Sequence, residues 1–140
     1  LDGTLCNIEH RLHHVRQEPK DWDEFFGAML NDTPRAEVLG MIEGYASEGY
    51  QVVFVSGRPD NYREFTELWL SRIFPNYVTI LMLRAGDHRP DTVVKEEILK
   101  TYFPDQSWIF CAIDDRPAVI RDVWKKHRIR CIDVGNGVEF

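Results

Sequence analysis

The run Gln51-Val52-Val53-Phe54-Val55, followed at once by Ser56-Gly57-Arg58, is the stretch from which the fold can be read. Its β-branched and aromatic side chains make a strand, and the Ser-Gly pair ends it. Three further runs share this character: residues 77–83; residues 108–113, which stop at Asp114-Asp115; and residues 129–134, which stop at Gly135. Near-continuous apolar runs of this length predict strands covered on both faces, as in a parallel sheet. Helical patterns lie between them. Residues 34–48 open with Thr33-Pro34, read as a cap followed by proline at the first helical position, and turn Leu39, Ile42 and Ala46 to one face. Residues 60–74 carry Phe65, Leu68, Trp69 and Phe74; residues 92–102 carry Val94, Ile98, Leu99 and Tyr102; residues 117–127 carry Ile120, Val123 and Trp124. A shorter helix is expected over 21–30, with Trp22, Phe25 and Phe26 packed over the sheet. This alternation predicts a doubly wound α/β sheet.

The composition agrees. The chain has 140 residues, 44% of them hydrophobic and 12% aromatic, the length and make-up of one globular domain. Its net charge of −6 argues against coating long nucleic acid by charge alone. No apolar run approaches the ~20 residues needed to span a bilayer. The three cysteines (Cys6, Cys111 and Cys131) lack CxxC spacing and are expected to be reduced, mostly buried thiols in a cytoplasmic protein.

Four loops carry the chemistry: Asp2-Gly3-Thr4, Ser56-Gly57-Arg58, the helix start around Lys95, and Asp114-Asp115-Arg116. Each follows, or should follow, the carboxyl end of a strand, the edge where open α/β sheets bind ligands. Together they are expected to line one crevice. Asp114 and Asp115 are hard oxygen donors of the kind Mg²⁺ takes. Ser56 and the Gly57 amide can donate to phosphate oxygens, Lys95 can neutralise charge, and Asp2 can move a proton. That equipment suits phosphoryl transfer, in which positioning and charge stabilisation dominate.

The segments DGTL, VVFVSGR, VVKEEIL and AIDD resemble, in order, the four motifs of the haloacid-dehalogenase-like (HAD) phosphatases. SGRPD, DTVVKEEI and AIDDRPAVI, with Asp21-Trp22 upstream, resemble more narrowly the 3′-phosphatase domains of phage-type polynucleotide kinases. The resemblance implies a three-layer, Rossmann-like HAD fold with a mostly parallel five-stranded sheet and helices on both faces, in a single domain over residues 1–140. It implies Mg²⁺-dependent hydrolysis of a phosphomonoester through a phospho-aspartate. In the D-x-D-G-T motif the attacking aspartate would be the residue before Leu1, so the first strand and the nucleophile are expected upstream of residue 1. Asp2 matches the general acid and base, whose main-chain carbonyl also meets the metal. Thr4, Ser56, Gly57, Arg58 and Lys95 match the phosphate-binding set, Ser56 and Lys95 also serving catalysis, and Asp114 and Asp115 match the metal acids.

The spacing between motifs leaves no room for a large cap, and an open site suits a bulky substrate such as the 3′ end of a polynucleotide. Two other readings stand beside this one: a small-molecule phosphatase such as a nucleotidase, and a HAD-like binding module that has lost catalysis. The chain has no P-loop GxxxxGK[ST]; a kinase domain fused upstream is compatible with the resemblance. Arg58 is expected to contact substrate or to pair with Asp60 or Asp115, and Arg116 to be structural. Arg11, Arg16, Lys20, Arg84, His88 and Arg89 are expected on a positive rim, and His10, His13 and His14 in a solvated or substrate-facing loop.

Overall fold

The computed structural model describes residues 1–77, 79–83 and 86–139. Val78, inside the expected strand 77–83, and the expected rim residue Arg84 lie outside the described residues. The chain forms two units, Leu1–Ala85 and Gly86–Glu139.

In the first unit, β1 (Cys6–Asn7) pairs antiparallel with β2 (Thr33–Pro34). Thr33-Pro34 is therefore a strand rather than a helix cap. Proline has no N–H to donate, which suits a short edge pairing. Arg35 takes the N-cap place of α3 (Ala36–Ser47), which buries Val38 and Ile42 and leaves Leu39 and Ala46 half-buried. Short helices α1 (His13–Arg16) and α2 (Trp22–Gly27) precede β2, and the Asp21 side chain caps α2 by accepting from the Glu24 N–H at 3.0 Å. Phe25 and Phe26 are buried on α2, whereas Trp22 is exposed.

β3 (Val53–Pro59) runs parallel to β4 (Thr79–Leu83). β3 does not stop at Ser56-Gly57. Ser56 faces Met82 and Pro59 faces Leu83, so Gly57 and Arg58 form a bulge with no partner in β4. Burial along β3 alternates, with Phe54, Ser56 and Arg58 all turned inward, so the buried face becomes polar at the strand's carboxyl end. Helix α4 (Arg63–Ile73) buries Thr66, Trp69 and Leu70. Phe65 and Leu68 instead stand 46% and 41% exposed: the i, i+3, i+4 stripe runs one position away from the expected one.

In the second unit, α5 (Asp91–Tyr102) buries Val94, Lys95, Ile98 and Leu99, while Tyr102 is exposed. β5 (Ala112–Asp114) runs parallel to β6 (Cys131–Asp133). These strands are shorter than their apolar runs. The Asp105 side chain accepts from the Ser107 N–H and winds residues 106–108 into a 3₁₀ turn, which leaves Trp108 71% exposed. α6 (Pro117–Val119) continues into a π-helix, Ile120–Lys125. Its Val119, Ile120, Val123 and Trp124 pack with Leu99 and Ile129 as this unit's core.

The fold is thus mixed α/β. Among the described residues the strands stand in three pairs, short of the expected continuous five-stranded parallel sheet. No described helix is long and apolar enough to cross a membrane.

Candidate active site

The first unit collects a buried charge cluster. Asp2 follows Leu1, whose carbonyl accepts from the amides of Thr4, Leu5 and Cys6 and closes the Asp2-Gly3-Thr4 loop. Gly3 turns this loop at φ 77°, where a side chain would be strained. The bulge at Gly57 and Arg58 frees Arg58 to reach back to Asp2. Its Nε lies 3.0 Å from Asp2 Oδ2 and its Nη2 2.6 Å from Oδ1. Nη1 donates to Thr66 Oγ1 at 3.1 Å. The Ser56 hydroxyl accepts the Arg58 main-chain N–H at 3.1 Å, which leaves its own proton to donate elsewhere.

Arg11 completes the cluster. It is 0% exposed, so it belongs to the interior and not to a surface rim. Its Nη2 donates to Asp2 Oδ1, its Nε donates to Asp32 Oδ1 at 2.8 Å, and its guanidinium lies 4.2 Å over the Phe25 ring. Asp32, with no side-chain exposure, also meets His10 Nε2 at 2.7 Å. Two guanidiniums therefore face two carboxylates, and the buried charges balance. Burial alone would raise the proton affinity of Asp2, but the Arg58 guanidinium outweighs it and, with Arg11, holds the carboxyl well below the usual range. At rest Asp2 is an anion. The described carboxylate contacts of Arg58 are to this cluster, Asp2 and Asp32.

The second unit holds the other pair of motifs. Lys95, one turn into α5, is buried and donates to Asp114 Oδ2 at 3.3 Å, with Asp91 Oδ2 also at 3.3 Å. Burial works against its charge, but Asp114 and Asp91 outweigh it, so Lys95 stays an ammonium with a raised pKa. Asp114 accepts four donors: the Asp115 and Arg116 N–H groups on Oδ1, and Trp124 Nε1–H and Lys95 on Oδ2. Its pKa is lowered, because Lys95 and these hydrogen bonds overcome burial. Arg116 pairs with Asp91 and Glu139. Gly135 is required by close approach: a Cβ there would lie 2.1 Å from the Asp115 carbonyl oxygen.

The donor set decides where a metal fits. Asp2, Cys6 and Asp32 bring ligand atoms within 4.8 Å of one another. The two guanidiniums already supply the positive charge there, and burial pushes the Cys6 thiol up to about 12, so it is not a thiolate. Mg²⁺ does not suit that trio. Asp114 has both oxygens engaged by protein donors. Asp115 contributes a carboxylate, a hard oxygen donor of the type Mg²⁺ takes.

The expected loop histidines divide. His10 is tied to Asp32, while the rings of His13 and His14 lie 3.9 Å apart, tilted by 40°. On the expected rim, Arg89 binds Asp87 and Glu97, and Lys20 lies over Trp22. The sequence reading missed Asp32 altogether and misplaced Arg11. A signal for Arg11 existed: Ile8, Arg11, Leu12 and Val15 follow i, i+3, i+4, i+7 spacing, and all four are buried.

Comparison with known proteins matches residues 1–139 to the family described as the polynucleotide kinase PNKP phosphatase domain of the HAD type. Among solved structures, the chain resembles one from the Pnkp1/Rnl/Hen1 RNA repair complex with TM-score 0.84 and 26% identity, covering 99% of this chain and 42% of that one. A chain from another structure of the Pnkp1/Rnl/Hen1 complex matches with TM-score 0.83 and 26% identity, covering 99% of this chain and 45% of its own length. The chain thus spans less than half the length of these solved relatives. It belongs to the HAD-type polynucleotide kinase phosphatase-domain family.

Proposed function

We propose that this chain is a Mg²⁺-dependent phosphomonoester hydrolase that removes the 3′-phosphate from a polynucleotide end through a phospho-aspartate. The observation that supports this best is the pairing of the four motifs: Arg58 grips Asp2, and Lys95 grips Asp114. Likeness to chains of an RNA repair complex favours a polynucleotide over a small ester as substrate. In this reading the attacking carboxylate belongs to the residue before Leu1, where D-x-D-G-T puts it, within a single capless phosphatase domain.

Asp2 acts as acid on the leaving oxygen and then as base on water. A dianionic phosphate competes with Asp2 for Arg58. Each guanidinium N–H that turns to phosphate is withdrawn from Asp2, and the proton affinity of Asp2 rises toward that of an ordinary acid. Ser56 donates its free hydroxyl proton, and Gly57 its amide, to phosphate oxygens; Thr4 binds with them. Lys95, aimed by Asp114 and Asp91, neutralises developing charge. The Asp115 carboxylate would hold Mg²⁺, which when bound would supply fixed positive charge near the phosphate.

The test is phosphate release by the full protein, with Mg²⁺, from a 3′-phosphorylated oligonucleotide, a nucleoside monophosphate and an aryl phosphate. The proposal expects the oligonucleotide to lead in kcat/KM. Equal or faster turnover of the small esters would move the protein to metabolite hydrolysis, and no turnover of any would make it a binding module.

A further inference from the structure

The segment Lys125-Lys126-His127-Arg128-Ile129-Arg130 is the most basic in an otherwise acidic chain. Lys125, Lys126, Arg128 and Arg130 are exposed. Glu96 answers Lys126 and His127, but Lys125, Arg128 and Arg130 make no ion pair among the described residues. Exposed aromatic rings flank them. Phe110, 47% exposed, lies under the Arg130 guanidinium at 6.0 Å, and the turn that carries Trp108 is joined to the basic run by Gln106 Nε2 and His127 Nδ1 at 3.4 Å. Cations that track phosphates beside rings that stack on bases are what a single nucleic-acid strand requires.

Backbone geometry supplies a clean way to remove one of these cations. Arg128 has φ 58°, the left-handed conformation that glycine takes freely and an L residue takes only at a penalty. It closes the preceding helix, donating its N–H to the Lys125 carbonyl. Glycine fits that conformation, so replacing Arg128 with glycine removes the cation without straining the turn.

We propose that the edge formed by Trp108, Phe110, Lys125, Arg128 and Arg130 is a second contact for a single-stranded polynucleotide, distinct from the residues that act on its terminal phosphate. This rests on the polynucleotide reading above. β5 and β6 are parallel, with Asp114 at one end and this edge at the other, separated by roughly 10 Å of strand. A long strand can use the edge, and a mononucleotide cannot use it together with the Asp114 end.

The experiment measures binding of a fluorescein-labelled, phosphate-free oligouridylate of twenty nucleotides to the full protein by anisotropy across a salt series. The variants are Arg128→Gly and the combination Lys125→Ala, Arg128→Gly and Arg130→Ala. Arg128→Gly should melt at or above the parent temperature and still bind less tightly, which separates contact from folding. The triple variant should lose about tenfold or more in affinity at low salt, and its salt slope should fall by about 2, near 0.7 for each phosphate contact on a single strand. Aryl phosphate turnover should not change. A parent that binds no oligonucleotide, or variants that bind with the parent affinity and slope, would overturn the proposal. If binding falls as expected while the parent prefers small esters in turnover, the surface stands and the end-processing reading fails.

Discussion

Asp32→Asn removes one charge from a balanced buried set and changes little in shape. Asp32 has no side-chain exposure and accepts Arg11 Nε at 2.8 Å as well as the contact to His10. After the change Arg11 and Arg58 face Asp2 alone, and one buried positive charge is uncompensated. Breaking a buried ion pair from one side costs about 3–5 kcal/mol. For a domain of this size that lowers the melting temperature by about 10–17 °C. Because Arg11 would lose the partner that aims it at Asp2, kcat should fall as well. A companion variant, Arg11→Met with Asp32→Leu, removes the pair as a unit, and apolar replacement of a whole buried pair is often neutral or stabilising. It should recover most of the melting temperature without recovering kcat. The assay is thermal unfolding followed by tryptophan fluorescence, beside phosphate release. An Asp32→Asn protein that melts within about 2 °C of the parent, or a double variant less stable than the single, would refute this charge accounting.

The lowered pKa of Asp114 means that its contribution to stability is full above the ordinary value of 3.8 and is lost as the pH falls from there through the lower folded value. Melting temperature against pH should therefore drop steeply below about pH 4, and Asp114→Asn should flatten that limb while lowering the plateau above it. Gly135→Ala sets a methyl group 2.1 Å from the Asp115 carbonyl oxygen. We expect a loss of about 2 kcal/mol or more in a denaturant melt, together with loss of Mg²⁺-dependent turnover, because the Asp114-Asp115 loop must move. Cys6 is buried, with its thiol pushed up to about 12, so it should resist a thiol reagent at pH 8 until the protein is unfolded.

Much of the candidate site was legible because its residues sit at punctuation. Ser56-Gly57 and Asp114-Asp115 each close an apolar run, and local pattern suffices to find such places. The helices were legible for the same reason, through Pro59, Pro75, Pro104 and Pro117. What the sequence hid depends on contacts between distant segments. Nothing local to Arg58 says that a bulge turns it toward Asp2, fifty-six positions away. Nothing near Asp32 marks it as the buried counter-charge of Arg11, since an acid before Thr-Pro reads equally well as a turn. Strand length failed where side-chain chemistry overrode hydropathy: Trp108 lies in an apolar run, yet the Asp105 side chain holds it in a turn on the surface. On α4, apolar residues occupied more than one face, and the buried Thr66 marked the true stripe by bonding Arg58.

The most direct measurement of the central claim is phosphate release from a 3′-phosphorylated oligonucleotide as Mg²⁺ is raised from zero, for the full protein and for its Asp115→Asn variant. The account predicts a rate that saturates with Mg²⁺ in the parent and falls at least about a hundredfold in the variant at the same metal concentration. A rate that persists in excess chelator, or an Asp115→Asn variant with the parent's Mg²⁺ response, would contradict it.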